Sequence, residues 1–320
     1  MPLLEVRNLK IYFYTMAGPV KAVDDVSFTL EKGEVLGIAG ESGCGKSTTA
    51  YGIIRLVPPP GRIVGGEVIF EGENILKLSP EEFRKRIRWK KISMVFQGAM
   101  NAFNPVFTIG EQLAEVLVVH KGLTKKEAYA EAANLLKMVG IDPIRLRSYP
   151  HELSGGMKQR AMIAMALALD PPLVIADEPT TALDVVVQAQ VMNLLKRLQR
   201  ERGMSIILIT HDLSLIAEIA DKVMVMYAGK AVELGTSEHI YLTPKHPYTI
   251  GLINSVPRLK GEIRKLHYIP GVPPDLIMPP PGCRFHPRCS YVFKPCKETE
   301  PPMVEVEPGH YVACWLYAKR

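Results

Sequence analysis

Residues Glu34 to Thr48 read EVLGIAGESGCGKST. The first part, EVLGIAG, is apolar almost throughout, as a strand buried on both faces should be. It runs straight into GESGCGKST, Gly40 to Thr48, which fits the phosphate-loop pattern G-x-x-x-x-G-K-[ST]. A buried strand before it and a helical stretch after it are the context that gives this motif its meaning. Gly40, Gly43 and Gly45 let backbone N–H groups turn inward around phosphates, with Ser42, Cys44 and Thr48 in the same loop. The helix that follows offers its positive N-terminus to the same anion. Lys46 can reach the terminal phosphates, and Ser47 can give its hydroxyl to Mg²⁺. The backbone makes the contacts in such a loop, so the Cys44 side chain is expected to point away from phosphate without a redox role. A nucleoside triphosphate with Mg²⁺ is the implied ligand.

Similar apolar runs recur at ISMVF (92–96), LVIAD (173–177), SIILIT (205–210) and VMVMY (223–227). Helical patterns lie between them: Val187, Val191, Leu194, Leu195 and Leu198 repeat at helical spacing, with Gln188, Lys196 and Arg197 opposite. Buried strands alternating with amphipathic helices indicate an α/β core with a mostly parallel sheet. Ahead of that core, LLEVRNL, AVDDVSFTL and GEVIF read as short strands. About 111–170 reads as a helical insert. After Tyr241 the composition shifts, and Pro270 to Pro308 holds eleven of the 26 prolines. The expected organisation is a domain over 1–242, then a separate irregular module over 243–320.

The chain of 320 residues has 47% hydrophobic and 22% charged residues, ordinary for a globular protein. A net charge of +6 permits contact with anionic lipid or nucleic acid without demanding either. The start, MPLLEVRNLK, has no apolar run and does not read as a signal peptide. The longest apolar run, Ala161 to Leu169, stops at Asp170, well short of the roughly 20 residues a membrane-spanning helix needs. The expectation is a cytosolic chain unless a partner holds it at a membrane.

PLVIADEP, Pro172 to Pro179, is an apolar strand ending in two acids. Asp177 is placed to hold Mg²⁺, and Glu178 to orient or deprotonate an attacking water. Acids at a strand end can also merely cap the next helix. LSGGMKQR, Leu153 to Arg160, sets a Ser and two Gly before a helix: Ser154 caps, and Gly155 and Gly156 expose N–H groups.

A phosphate loop, LSGGMKQR and an acidic strand, in this order, resemble the ABC-type ATPases. The resemblance covers Leu3 to about Leu242. It implies a RecA-like parallel-sheet core with an antiparallel β subdomain and a helical subdomain. Gln97 resembles the family's Q-loop glutamine, which also reaches Mg²⁺ beside Ser47 and Asp177. Asp184, in ALD, matches the D-loop, and His211, in ITHD, the switch histidine beside the γ-phosphate. Taken alone, a His after a strand is more often a packing or capping residue. Phe13, with Tyr14 as fallback, matches the aromatic that stacks on adenine. Ser154, Gly155, Gly156, Met157 and Gln159 match the signature, which serves the partner's site. Met157 stands where most of the superfamily has Gln, as it commonly does in importer ATPases for oligopeptides and dipeptides.

The tail narrows the resemblance. KHPYTIGLINSVP, PGVPPDL, GCRFHPRC and a late ACW look like the C-terminal extension of those importer ATPases. The family then implies two permease subunits, a second ATPase cassette (identical or homologous), a substrate-binding protein engaged indirectly, and a peripheral place on the cytoplasmic face of the membrane. Relatives carry peptides or short oligosaccharides. GAMNAFNPVFTIGEQL, after Gln97, lies where the family receives a permease's coupling helix, though it would equally suit a surface loop. A non-transport ABC ATPase of DNA repair or translation would usually show a long heptad insertion or a second cassette, and neither is present. A P-loop kinase has no reason to contain LSGGMKQR. FRKRIRWKK (83–91) reads as a solvated helix face with no nucleic-acid role, since no aromatic-rich binding surface accompanies it.

Cys283, Cys289, Cys296 and Cys314 follow the spacing C-x₅-C-x₆-C-x₁₇-C. A cytosolic setting disfavours a disulfide, and the short knuckles of a zinc ribbon are missing. Three readings stand: a [4Fe–4S] cluster, which takes Cys₄ ligation on irregular loops; a Zn²⁺ ion, with His286 and His310 as reserve ligands; and four free buried thiols. The cluster is the expectation, as a staple for a poorly cored module.

Overall fold

The computed structural model describes residues 1–98, 102–255 and 269–318. It opens with β1 (Leu4–Thr15) and β2 (Gly18–Leu30), then β3 (Val35–Ala39), α1 (Lys46–Ile53), β4 (Gly61–Phe70) and β5 (Glu73–Asn74). Next come α2 (Pro80–Glu82), a π-helical turn over Phe83–Ile87, β6 (Ile92–Val95), α3 (Ile109–Lys121), α4 (Lys125–Met138) and α5 (Gly155–Ala166). The chain continues through β7 (Leu173–Asp177), α6 (Val185–Arg202), β8 (Ser205–Ile209), α7 (Leu213–Ile219), β9 (Lys222–Tyr227), β10 (Lys230–Thr236) and α8 (Ser237–Leu242). Last are α9 (Pro247–Asn254), α10 (Lys294–Glu298), β11 (Val304–Glu307) and β12 (His310–Val312).

Two compact units emerge: Met1–Leu76 with Thr210–Arg320, and Lys77–Ile209. In the first, β2-β1-β4-β5 form an antiparallel sheet. The strand run β11-β12-β10-β9-β3 belongs to the same unit, with β3 and β9 parallel and the rest antiparallel. Every residue of β3 is buried. Gly37 sits in its middle because a Cβ there would lie 2.3 Å from Ile216 Cγ2 on α7. A side chain would push the helix off the strand.

In the second unit β8-β7-β6 run parallel, and all three strands are buried throughout. That matches their near-continuous apolar sequence. The helices start where the sequence provides caps. Thr108 with Glu111, and Thr124 with Glu127, form reciprocal capping boxes at α3 and α4. Pro143 and Pro150 break the helical run into two 3₁₀ turns before α5. Within FRKRIRWKK, Phe83 and Ile87 are buried and Arg84, Lys85 and Arg86 exposed, the pattern of a solvated helix face.

The tail differs from the separate, irregular module expected after Leu242. β12 pairs with β10, with Glu233 opposite Val312, and β11 pairs with β12, so this segment extends the strand run of the first unit. The physical reason is an open edge: β10 needs a neighbour for its ladder, and a proline-rich chain can still spare short proline-free strands, HYV to pair with β10 and VEVE to pair with HYV. No helix among the described residues is long and apolar enough to cross a membrane.

Candidate functional site

In the first unit the phosphate loop leaves β3 at Gly40 and enters α1 at Lys46. Gly40 has φ 147° and Gly45 φ 104°, and a Cβ at either would lie 2.2 Å from a backbone oxygen, of Met226 and Ala22 respectively. Only glycine fits there. Lys46 is buried, and its Nζ donates to the Gly40 and Glu41 carbonyls at 2.8 and 2.9 Å, which holds a cation inside the loop. Cys44 is buried too; burial pushes its thiol up, with Lys46 acting the other way. Ser42 and Gly43 are exposed, and Ser47 and Thr48 are half-buried in the first turn of α1. Phe13 lies on β1 beside Gly61, where an added Cβ would meet its ring at 2.7 Å, while Tyr14 is exposed. His211 is exposed, just after Thr210, whose N–H donates to Ile38 O on β3 at 3.4 Å.

In the second unit β7 delivers Asp177 fully buried at its end and Glu178 just beyond, in the left-handed region at φ 45°. Gln97 Nε2 and Thr181 Oγ1 both donate to Glu178 Oε2, at 2.8 and 2.9 Å. The structure therefore brings Gln97 and Glu178 into direct contact although 81 positions separate them. Ser154 caps α5 by accepting from Met157 N at 3.3 Å. Gly155 and Gly156 form the first turn, Met157 is half-buried and Gln159 buried. A Cβ on Gly156 would lie 2.5 Å from Val187 Cγ1, so this turn sits tightly against α6. Asp184 caps α6, accepting from Val187 N at 2.9 Å. Of the GAMNAFNPVFTIGEQL segment, residues 99–101 lie outside the described ones. Val106 and Phe107 are exposed beyond them.

The four tail cysteines line one cavity, together with His246, Phe285, His286 and Trp315. Cys283 N donates to Cys296 O at 2.9 Å, which ties two of the four together. Burial pushes the Cys283 thiol up to about 12 and Cys314 up to about 11, with smaller contributions from neighbouring cysteines. Burial raises Cys289 as well. His286 belongs to this cavity, but His310, the other reserve ligand, does not line it: fully buried, it sets Nε2 2.8 Å from Glu233 Oε1. Glu233, equally buried, holds it by hydrogen bonding.

Sequence reasoning missed a set of residues around the phosphate loop. Glu41 fills a position the motif leaves open, so pattern gave no signal for it. Arg288 Nη1 and Nη2 fork onto its two carboxylate oxygens at 2.7 and 2.9 Å. Glu41 N donates to Tyr248 OH at 2.9 Å. Arg284 pairs with Asp24 and donates to Ala228 O. Both arginines stand in GCRFHPRC, where the cysteines drew the attention.

A family model described as "ABC transporter" matches residues 23–181, and one described as "Oligopeptide/dipeptide transporter, C-terminal region" matches 232–296. The dipeptide transport ATP-binding protein DppD of Bacillus subtilis is 49% identical over 99% of this chain and 95% of its own length. The oligopeptide transport ATP-binding protein OppD of Salmonella typhimurium is 50% identical over 98% of this chain and 93% of its own. Among solved structures, the dimeric post-hydrolysis state of the ATP-binding cassette MJ0796, bound to ADP and Pi, superposes with TM-score 0.65 at 29% identity. It covers 73% of this chain and 98% of that one.

Proposed function

Because this chain belongs to the ATP-binding proteins of the oligopeptide/dipeptide ABC transporters, we propose that it hydrolyses ATP to energise the import of short peptides. Lys46 and the N–H groups of Gly40 to Thr48 hold the phosphates, Phe13 stacks on adenine, and Glu178 positions water. Gln97 keeps that carboxylate in place through the 2.8 Å contact, the observation that most directly supports a hydrolytic role. His211 touches the terminal phosphate. Ser154, Gly155, Gly156, Met157, Gln159 and Asp184 serve the site of a second cassette. Ser47 in the first unit, and Asp177 and Gln97 in the second, each offer an oxygen donor of the kind Mg²⁺ takes; the ion, when bound, would neutralise phosphate charge. The test is Mg²⁺-dependent turnover of the Glu178→Gln variant. It should bind ATP normally and hydrolyse it at least about a hundredfold more slowly, the scale of a lost positioned base. Near-normal turnover overturns the assignment.

The same reading extends to partners and place. A two-subunit permease and a second homologous cassette complete the machine at the cytoplasmic face of the membrane, where this chain sits peripherally. The names of its relatives favour peptides over short oligosaccharides.

For the four cysteines we propose a [4Fe–4S] cluster in preference to Zn²⁺. They share one cavity, and burial disfavours the thiolates of Cys283, Cys289 and Cys314 unless a cation compensates, so the donor set suits a thiophilic centre. Bound there, the cluster would cross-link four points of a proline-rich segment. Chain purified without oxygen should be brown and carry about four irons. Colourless chain with one zinc overturns the cluster, and metal-free chain overturns the site.

A further inference from the structure

The cysteine-bearing turn and the phosphate loop are linked by three routes, one direct and two through intervening residues. Between Cys283 and Cys289 lie Arg284, Phe285 and Arg288, and each reaches toward Gly40–Thr48. Arg288 grips the Glu41 carboxylate in a two-pronged ion pair, with Arg288 itself 6% exposed on its side chain and Glu41 28%. Its Nε is anchored on Pro270 O at 2.8 Å, and its guanidinium lies 5.7 Å over the Tyr227 ring. Phe285 meets Tyr248 at 5.3 Å between ring centroids, and Tyr248 accepts the Glu41 N–H. Arg284 donates to Ala228 O, while the next residue, Gly229, donates its N–H to Cys44 O at 2.9 Å.

Glu41 lies between the glycine that opens the loop and Lys46, whose ammonium is bonded to Glu41 O. A glycine-rich loop loses more conformational freedom on ordering than most backbone does. Whatever orders it before nucleotide arrives removes that cost from binding. A bidentate arginine–carboxylate pair fixes orientation as well as distance, and a lysine at the same place does not.

We propose that Arg288 is a positioning residue of the nucleotide site. Through Glu41 it pre-orders the phosphate loop, and it thereby couples the state of the cysteine turn to nucleotide affinity. The proposal rests on reading Gly40–Thr48 as the nucleotide loop. Coupling of this kind is reciprocal: what the ordered turn adds to nucleotide binding, nucleotide returns to the turn.

The experiment is a double-mutant cycle on the full chain, with MgADP as probe and calorimetry separating dissociation constant from stoichiometry. Arg288→Ala and Glu41→Gln should each weaken MgADP about tenfold, within the usual span of site-to-site coupling. The double variant should be no weaker than the weaker single one, and Arg288→Lys should recover only part of the loss. If Arg288→Ala does not fold, Arg288→Lys against Glu41→Gln completes the same cycle. A lower stoichiometry at unchanged dissociation constant would mean that Arg288 serves folding alone, and this outcome overturns the proposal, as does full additivity. A second readout follows the metal: MgADP should slow chelator-driven loss of absorbance near 400 nm in the wild-type chain, but not in Glu41→Gln. No protection in the wild type overturns the coupling to the turn. Chain that binds no metal removes the cysteine reading and that coupling with it, while the cycle still decides the role of Arg288. Wild-type chain that binds no MgADP sinks the nucleotide reading itself.

Discussion

Asp24 collects three partners that are distant in sequence: Tyr12 donates its hydroxyl at 2.7 Å, Arg284 forms an ion pair, and Lys230 Nζ lies 3.7 Å away. Burial pushes the carboxyl up, but Tyr12, Lys230 and Arg284 together outweigh it and hold it below its ordinary value. A carboxyl so held stabilises the fold fully above its unfolded pKa of about 3.9. That contribution is lost as pH falls through the folded value. Asp24→Asn should therefore lower stability to urea at pH 7, and the gap between variant and wild type should close as pH falls below about 4. A gap constant from pH 7 to pH 3 would show that charge at Asp24 contributes nothing. At this scale the sequence was legible wherever function constrains residue type within a short window, as in GESGCGKST. It was silent on Asp24–Arg284 and Glu41–Arg288, separated by 260 and 247 positions, since no local pattern pairs an acid with one arginine among many.

Strands buried on both faces announced themselves as apolar runs, and ISMVF, LVIAD, SIILIT and VMVMY correspond to β6, β7, β8 and β9. The short edge strands did not. VEVE alternates as a half-exposed strand should, and its burial alternates in step, but its four residues lie among prolines that argue for irregular chain. The ladder with β12, itself paired to β10, supplies what this segment lacks in intrinsic preference. The first turn of α5 was legible as a cap but not as a contact. Ser154 takes the capping role its type suggests, whereas the demand for glycine at 156 comes from Val187 on another helix. Periodicity marks which face of a helix is buried. It does not mark where two helices come so close that even a methyl group is excluded.

Three acids from the part of the chain that resembles an ABC cassette have basic partners beyond Leu242: Asp24 with Arg284, Glu41 with Arg288, and Glu233 with His310. Glu233 is fully buried, and besides His310 it accepts the N–H groups of Lys245 and His246, at 2.7 and 3.0 Å. A carboxylate brought out of water needs partners of this kind, and removing one side of such a pair is costly. The place where sequence similarity to cassettes fades is thus not a place where the first unit can be cut. A chain ended at Leu242 would lose all three pairs, uncover the β10 edge and give that edge a template for pairing with other chains. It should be less stable than the full chain by roughly 3 kcal/mol or more, measured by urea unfolding, and should scatter light at concentrations where the full chain stays clear. His310→Ala in the full chain isolates the buried pair from the edge effect. It should lower stability by about 1–3 kcal/mol without scattering, because β12 still covers β10. A truncated chain as soluble and as resistant to urea as the full one would show that the tail is an appendage after all.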